Sequence, residues 1–197
     1  MALFIPVIAV GGQYNHLIVR MLNELGAKSK LVPANTPLEE FKALEADGYA
    51  MGGGPQRVHE AVEKGEFATL SKVLNTIDVP LLGICVTHQL MAVAYGGEAG
   101  PAIKPEYGPT TVVVDEEDTI LHGMGSSFTA WSSHNDEVQK LPPNFRSIAH
   151  SEFCKIEAMK HDSKPIYGVQ FHPEVVHTQN GRQIFKNLLE VCVKQTA

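Results

Sequence analysis

The sequence predicts an α/β fold: a doubly wound, mostly parallel central sheet flanked by helices, with an additional small antiparallel β portion. Three observations lead there. Wholly apolar runs such as "FIPVIAV" and "VPLLGI" alternate with helical stripes through the first half of the chain. Strands without polar alternation have both faces covered, as in parallel sheets sandwiched by helices. From Gly97 onward the segments become short and strand-like, separated by Gly, Pro, Asn and Asp, which suits antiparallel or mixed pairing.

Each element has a local reason. "FIPVIAV" reads as a first buried strand, and the Gly-Gly after it argues against a signal peptide or a membrane helix. "NHLIVRMLNELG" carries Leu17, Ile18, Met21, Leu22 and Leu25 on one stripe and stops at Gly26. "KLVPA" is a second strand. In "TPLEEFKALEADG", Thr36, Pro37 and Glu39 take the N-cap, first-turn and capping-box places, and Gly48 closes the helix. "YAMGGGP" is a strand ending in a glycine loop. "HEAVEKGEFATLSKVLNTI" is helical with an interruption at Gly65. "VPLLGI" is a further strand, and "VTHQLMAVAYGG" a helix ended by Gly96 and Gly97. "TTVVVDEED", "SFTAWSSHNDEV", "FRSIAHSE", "CKIEAMKH" and "IYGVQFHPE" are short strands. The closing helix "GRQIFKNLLEVCVKQ" aligns Ile184, Phe185, Leu188, Leu189 and Cys192. With no repeat or linker, residues 1–197 read as one domain.

Bulk numbers narrow the function. With 197 residues, 44% hydrophobic and 19% charged, the chain can build a sizeable core. A net charge of -6 with interspersed signs gives no basic patch for nucleic acid or a membrane surface. Three cysteines, Cys85, Cys154 and Cys192, make a poor disulfide framework and suit a reducing cytoplasm. The nine histidines show no ligand spacing, so no metal site is expected. His16, His59, His122, His150 and His161 read as solvated or locally bonded, and His88 as a packing residue.

The chemistry gathers at three stretches. In "LLGICVTHQLMAV" an apolar strand runs through Cys85 straight into a helix. Such a turn projects one side chain above the sheet edge, against the N–H groups and positive end of the following helix, a setting that suits an anionic sulfur. An inert buried cysteine is the other reading. In "GVQFHPEV", His172 and Glu174 stand two apart across Pro173, so an extended ribbon would send imidazole and carboxylate to one face. Alone, they would be an ordinary surface pair. The glycines of "GGGP", Gly52 to Pro55, let backbone N–H groups approach a substrate closely, although a plain turn reads the same.

Together "GICVTHQ", "GGGP" and "GVQFHPEV" resemble the class I (triad) glutamine amidotransferases, in that family's order and over nearly the whole chain. The resemblance implies a Cys–His–Glu triad that hydrolyses the side-chain amide of glutamine through a γ-glutamyl thioester and passes ammonia to a partner. Cys85 would be the nucleophile, His172 the base and acid, and Glu174 its orienter. Gly53, Gly54 and Val86 would form the oxyanion hole, with glutamine held by Gln89, Ser133, Asn135 and Asp136. Within the family, "GGQYNHLIVRMLNELG", "WSSHNDEVQKLPPNFRSIAHSE" and the valine and His-Thr step after His-Pro-Glu resemble the glutaminase part of GMP synthase. The Ser-Gly-Gly-x-Asp-Ser loop of the ATP pyrophosphatase part is missing from the sequence. ATP and magnesium would then belong to a separate partner subunit that aminates XMP, with no cofactor in this chain. Two alternatives stand beside this: a glutaminase subunit of another pathway, such as anthranilate synthesis, and an inactive subunit of the same fold with a regulatory role. The second is motivated by Thr87, which occupies the place of the elbow glycine in the family's Gly-x-Cys-x-Gly. A β-branched residue there is expected to distort the turn. His177, Thr178 and Trp131 are candidates for a partner interface, with Trp131 otherwise buried.

Overall fold

The computed structural model describes residues 2–117 and 119–196. The chain runs β1 (Val7–Ala9), α1 (Asn15–Glu24), β2 (Leu31–Pro33), α2 (Leu38–Lys42), β3 (Tyr49–Met51), α3 (Val58–Glu63), α4 (Ala68–Leu74), β4 (Leu81–Ile84) and α5 (Val86–Ala94). It continues with β5 (Glu98–Val114), a 3-10 turn (Thr119–Leu121), β6 (Ser127–Lys140), β7 (Phe145–His150), β8 (Ala158–His161), β9 (Ile166–Val169) and α6 (Gly181–Thr196).

One sheet contains all these strands in the order β2-β1-β3-β4-β9-β8-β7-β5-β6. β2, β1, β3, β4 and β9 pair in parallel. From β9 outward the ladders are antiparallel. The expected antiparallel portion is therefore a continuation of the parallel sheet, and its β5 and β6 are the longest strands. β5 starts at Glu98, well before the expected "TTVVVDEED", because "EAGPAIKPEYGP" pairs with β6 across irregularities at Glu98/Ala99 and Pro101/Glu106. Its Gly and Pro content hides it in the sequence.

The apolar strands are covered on both faces. On one face Val7, Ala50, Leu82 and Val169 pack with Ile18 and Leu22 of α1 and Ile184, Phe185 and Leu188 of α6. On the other, Ile8, Met51 and Leu81 pack with Phe41, Val58, Leu70, Val73, Leu90 and Met91 from α2 to α5. Successive strand residues belong to opposite clusters, the alternation a pleat imposes.

Two local expectations meet the structure differently. α2 begins at Leu38 with Pro37 as its N-cap and no side-chain cap bond, so the Thr36–Glu39 capping box does not form. It ends by Lys42, and Glu45 then takes φ +47°, while Asp47 accepts a hydrogen bond from the Phe4 N–H at 2.7 Å. The tertiary contact ends the helix before Gly48. The interruption at Gly65 is real: it has φ +73° and separates α3 from α4.

Candidate active site

Parallel strands deliver their following loops to one sheet edge, and four such loops meet here. The first follows β1 (Gly11–Asn15), the second follows β3 (Gly52–Pro55), the third is the β4–α5 junction at Cys85, and the fourth follows β9 at His172. With the middle of β6 they enclose a cavity of about 400 Å3. Gly53, Gly54, Cys85, Val86, Gln89, Ser133, Asn135, Asp136 and His172 all line it. These are the residues expected from sequence, apart from Glu174.

Cys85 is the N-cap of α5, with φ +57° and ψ -115°. A side chain rarely adopts this backbone, and it is what turns the thiol out of the sheet line. The turn is tight because Gly83 lets α5 lie on β4: a Cβ there would collide with the Met91 sulfur and stand 3.2 Å from the His88 nitrogen. The strain sits at Cys85 and not at Thr87, which is a regular, fully buried residue of α5. The expected distortion at Thr87 is absent because Gly83 supplies the clearance and because the Thr87 hydroxyl has backbone partners.

His172 and Glu174 lie just past β9 in a turn, not on the extended ribbon expected. They still meet, with Nδ1 of His172 2.7 Å from Oε1 of Glu174. Both are buried. Burial opposes the charged imidazole, but the Glu174 carboxylate and the Cys85 thiol outweigh it and hold the His172 pKa well above the ordinary value. Tyr14 packs its ring edge-to-face on the imidazole at 5.3 Å. The His172 backbone is clamped from both sides: its N–H donates to the Trp131 carbonyl at 2.9 Å, and its carbonyl accepts from the Thr178 hydroxyl at 2.6 Å. Thr178 is therefore a buried support of the His172 segment. Trp131 is half-buried against His177, ring centroids 4.7 Å apart, in a groove on the far side of Glu174.

The glycine loop crosses directly over this pair. A Cβ on Gly53 would sit 2.9 Å from Cε1 of His172 and 3.4 Å from the Cys85 Cβ, so any side chain there would push the loop off the thiol. The Val86 N–H, first in α5, has no acceptor within the helix.

The far wall of the cavity is more extensively bonded than its sequence suggests. Nε2 of Gln89 donates to the Asp136 carbonyl at 2.5 Å and to Oε1 of Gln170 at 3.0 Å. A carbonyl accepts only, which fixes the amide orientation and leaves Oε1 of Gln89 as its remaining group. The buried Asp136 carboxylate is 2.9 Å from Nδ1 of His59 through Oδ2 and 3.5 Å from Nε of Arg57 through Oδ1. Oδ1 has no hydrogen-bond partner among the described residues. His59, expected to be solvated or locally bonded, is thus a neighbour of the site; its position a few residues after the glycine loop is the one signal the sequence offers.

Behind this wall lies a buried acidic set. The ring nitrogens of His134 face the Asp136 carbonyl at 3.1 Å and Oε2 of Glu106 at 3.2 Å. Ser151 donates to Oε1 of Glu106 at 2.9 Å. Burial pushes the Glu106 pKa up, but its bonds from His134 and Ser151 hold it below the usual carboxylate value. Fully buried Glu157 is driven well above it by burial and by Glu106. Glu106, Cys154 and Glu157 bring ligand atoms within 4.8 Å of one another. Burial and the neighbouring Glu106 favour the neutral form of Glu157, whose two carboxyl oxygens have no hydrogen-bond partner among the described residues. His88 is a packing residue as expected: burial lowers its pKa to about 3, and Nε2 lies 3.2 Å from the Ile156 carbonyl.

Known proteins share both the sequence and the fold. Residues 7–192 match the family model described as glutamine amidotransferase class-I. The chain belongs to the class I glutamine amidotransferase family. Within it, the chain is 48% identical over 189 residues to a protein of Methanocaldococcus jannaschii named as a subunit of glutamine-hydrolyzing GMP synthase, covering 92% of this chain and 94% of that one. It is 47% identical to the protein of the same name from Sulfolobus acidocaldarius, covering 96% and 99%. A crystal structure of a protein from Thermoplasma acidophilum, assigned to the same GMP synthase subunit, superposes with TM-score 0.93 at 37% identity, over 100% of this chain and 96% of that one. A Thermotoga maritima glutamine amidotransferase shares the fold, with TM-score 0.78 at 15% identity. Among the described residues, no helix of this amidotransferase is long and apolar enough to cross a membrane.

Proposed function

We propose that this amidotransferase is the glutaminase subunit of a cytoplasmic GMP synthase, and that it hydrolyses glutamine for a separate ATP pyrophosphatase subunit that aminates XMP to GMP. The observation that carries the reading is the His172 imidazole, bonded at Nδ1 to Glu174 and brought beside Cys85 beneath the Gly53 loop, inside a cavity of about 400 Å3. The near full-length relatives named as GMP synthase subunits support the synthase assignment.

Each residue has a place in the reaction. Glutamine enters with its α-ammonium on the side of the Asp136 carboxylate and Oε1 of Gln89, and with Ser133 and Asn135 along its backbone. Cys85 passes its thiol proton to His172, and the sulfur attacks the side-chain amide carbon, forming a C–S bond as the carbonyl electrons move onto oxygen. That oxygen is received by N–H groups of Val86 and of Gly53 or Gly54. As the intermediate collapses, the C–N bond breaks and His172 gives its proton to the leaving ammonia. Water then adds to the γ-glutamyl thioester and returns a proton to His172. The C–S bond breaks and glutamate leaves. Glu174 keeps Nδ1 of His172 bonded, so Nε2 carries the transfers. ATP and magnesium act on the partner subunit.

The test combines this chain with its synthetase subunit, ATP, magnesium and XMP, and compares glutamine with ammonia as the nitrogen donor. Cys85→Ala removes glutamine-dependent GMP formation, a loss of about a thousandfold or more, and leaves ammonia-dependent formation at its wild-type rate. Unchanged glutamine use by Cys85→Ala would rule the mechanism out.

A further inference from the structure

The loop over the thiol and the thiol itself come from neighbouring strands, and a single hydroxyl joins them. In a parallel ladder, alternate residues of a strand bond to opposite neighbours. The Cys85 N–H donates to the Val169 carbonyl at the end of β9, 2.8 Å away. Ile84 therefore directs its N–H to the other side, toward β3, where the register has reached Met51 opposite Gly83. The Thr87 hydroxyl stands at that point. It accepts from the Ile84 N–H at 2.8 Å, and its proton faces the Met51 carbonyl at 2.8 Å and the Ile84 carbonyl at 2.9 Å. Met51 is the last residue before the Gly52–Gly54 loop, and Ile84 the last before Cys85. Thr87 is fully buried and lines no part of the cavity.

We propose that Thr87 is a positioning residue: its hydroxyl fixes the spacing between the two sources of oxyanion donors, the Gly53–Gly54 loop and the Val86 N–H. The inference rests on the glutaminase reading above. Loss of the hydroxyl leaves the Ile84 N–H and the Met51 carbonyl either facing a methyl group or drawn together, and both outcomes move the loop relative to the sulfur. An error of a fraction of an ångström in such a site costs turnover more than it costs binding.

Thr87→Val keeps the shape and removes the hydroxyl; Thr87→Ser keeps the hydroxyl. With the synthetase subunit present, Thr87→Val lowers kcat for glutamine about tenfold or more, with KM within about twofold, and Thr87→Ser restores it. Alkylation of Cys85 by iodoacetamide, which forms no oxyanion, proceeds at the wild-type rate in both. Amide hydrogen exchange, which needs no turnover, rises in the 52–54 segment of Thr87→Val only. A wild-type kcat in Thr87→Val, or equal losses of hydrolysis and alkylation, would overturn the positioning role. Absence of hydrolysis in the wild type, with the exchange difference intact, would overturn the glutaminase reading and leave the Thr87 contact standing.

Discussion

The two halves of the sheet contribute to one cavity by different means. In the parallel half, Cys85, the glycine loop and His172 each stand where a strand has just ended. Topology alone gathers them, and backbone groups do most of the holding. In the antiparallel half, Ser133, Asn135 and Asp136 lie in the middle of the 14-residue β6, where a strand would ordinarily be straight and paired. They are held in place from behind by side chains: Gln89 on the Asp136 carbonyl, His59 on its carboxylate, and His134 resting on Glu106. On the proposed function, the parallel edge supplies the reacting groups, and the antiparallel strand supplies a substrate wall with its own internal bracing.

Changes in the first half should strike turnover, and the largest expected effect after loss of the thiol is at Glu174. Glu174→Gln removes the carboxylate that raises His172 and lowers kcat about a hundredfold. The sign of its pH effect follows from the direction of the shift. The raised pKa of His172 keeps the imidazole protonated as pH rises. Without Glu174 it loses that proton earlier, so the alkaline limb of the kcat/KM profile moves to lower pH. A profile that stays in place would show that Glu174 does not govern His172.

Bracing in the second half should be felt as binding. His134→Phe cuts the link from Asp136 to Glu106 and raises KM for glutamine about tenfold, with kcat changed by less than about threefold. A pure kcat defect would erase the distinction between the halves.

The smallest effect is on stability. Glu157 carries a folded-state pKa well above the ordinary 4.5 because it is buried beside Glu106. The native state therefore holds a proton that the unfolded chain has released, so stability is lost as pH rises from about that ordinary value through the raised one. Glu157→Gln lacks this decline. Its melting temperature should match wild type near pH 4 and exceed it by about 2 °C at pH 8. Parallel melting curves across that range would refute the neutral carboxyl.

The sequence discloses these halves unequally, for physical reasons. Apolar strands, glycine stops and the Cys85, Gly53 and His172 loops leave local signatures, because each depends on residues adjacent in the chain. The first twelve residues of β5 are hidden, since Gly100, Pro101, Pro105 and Gly108 read as loop while the ladder to β6 tolerates them through irregularities. His59 and Glu157 are silent because their partners lie far away in sequence. Thr178 stands out in the sequence as a candidate for an interface, yet its hydroxyl is buried against the His172 backbone. Thr87 reads as a flaw in one dimension because a residue's hydrogen bonds are invisible until its neighbouring strands are in place.

The backbone at Cys85 sets stability against chemistry at a single residue. A non-glycine residue at φ +57° costs on the order of 1–3 kcal/mol, which glycine would relieve. Cys85→Gly should therefore gain stability in the same step that removes the thiol.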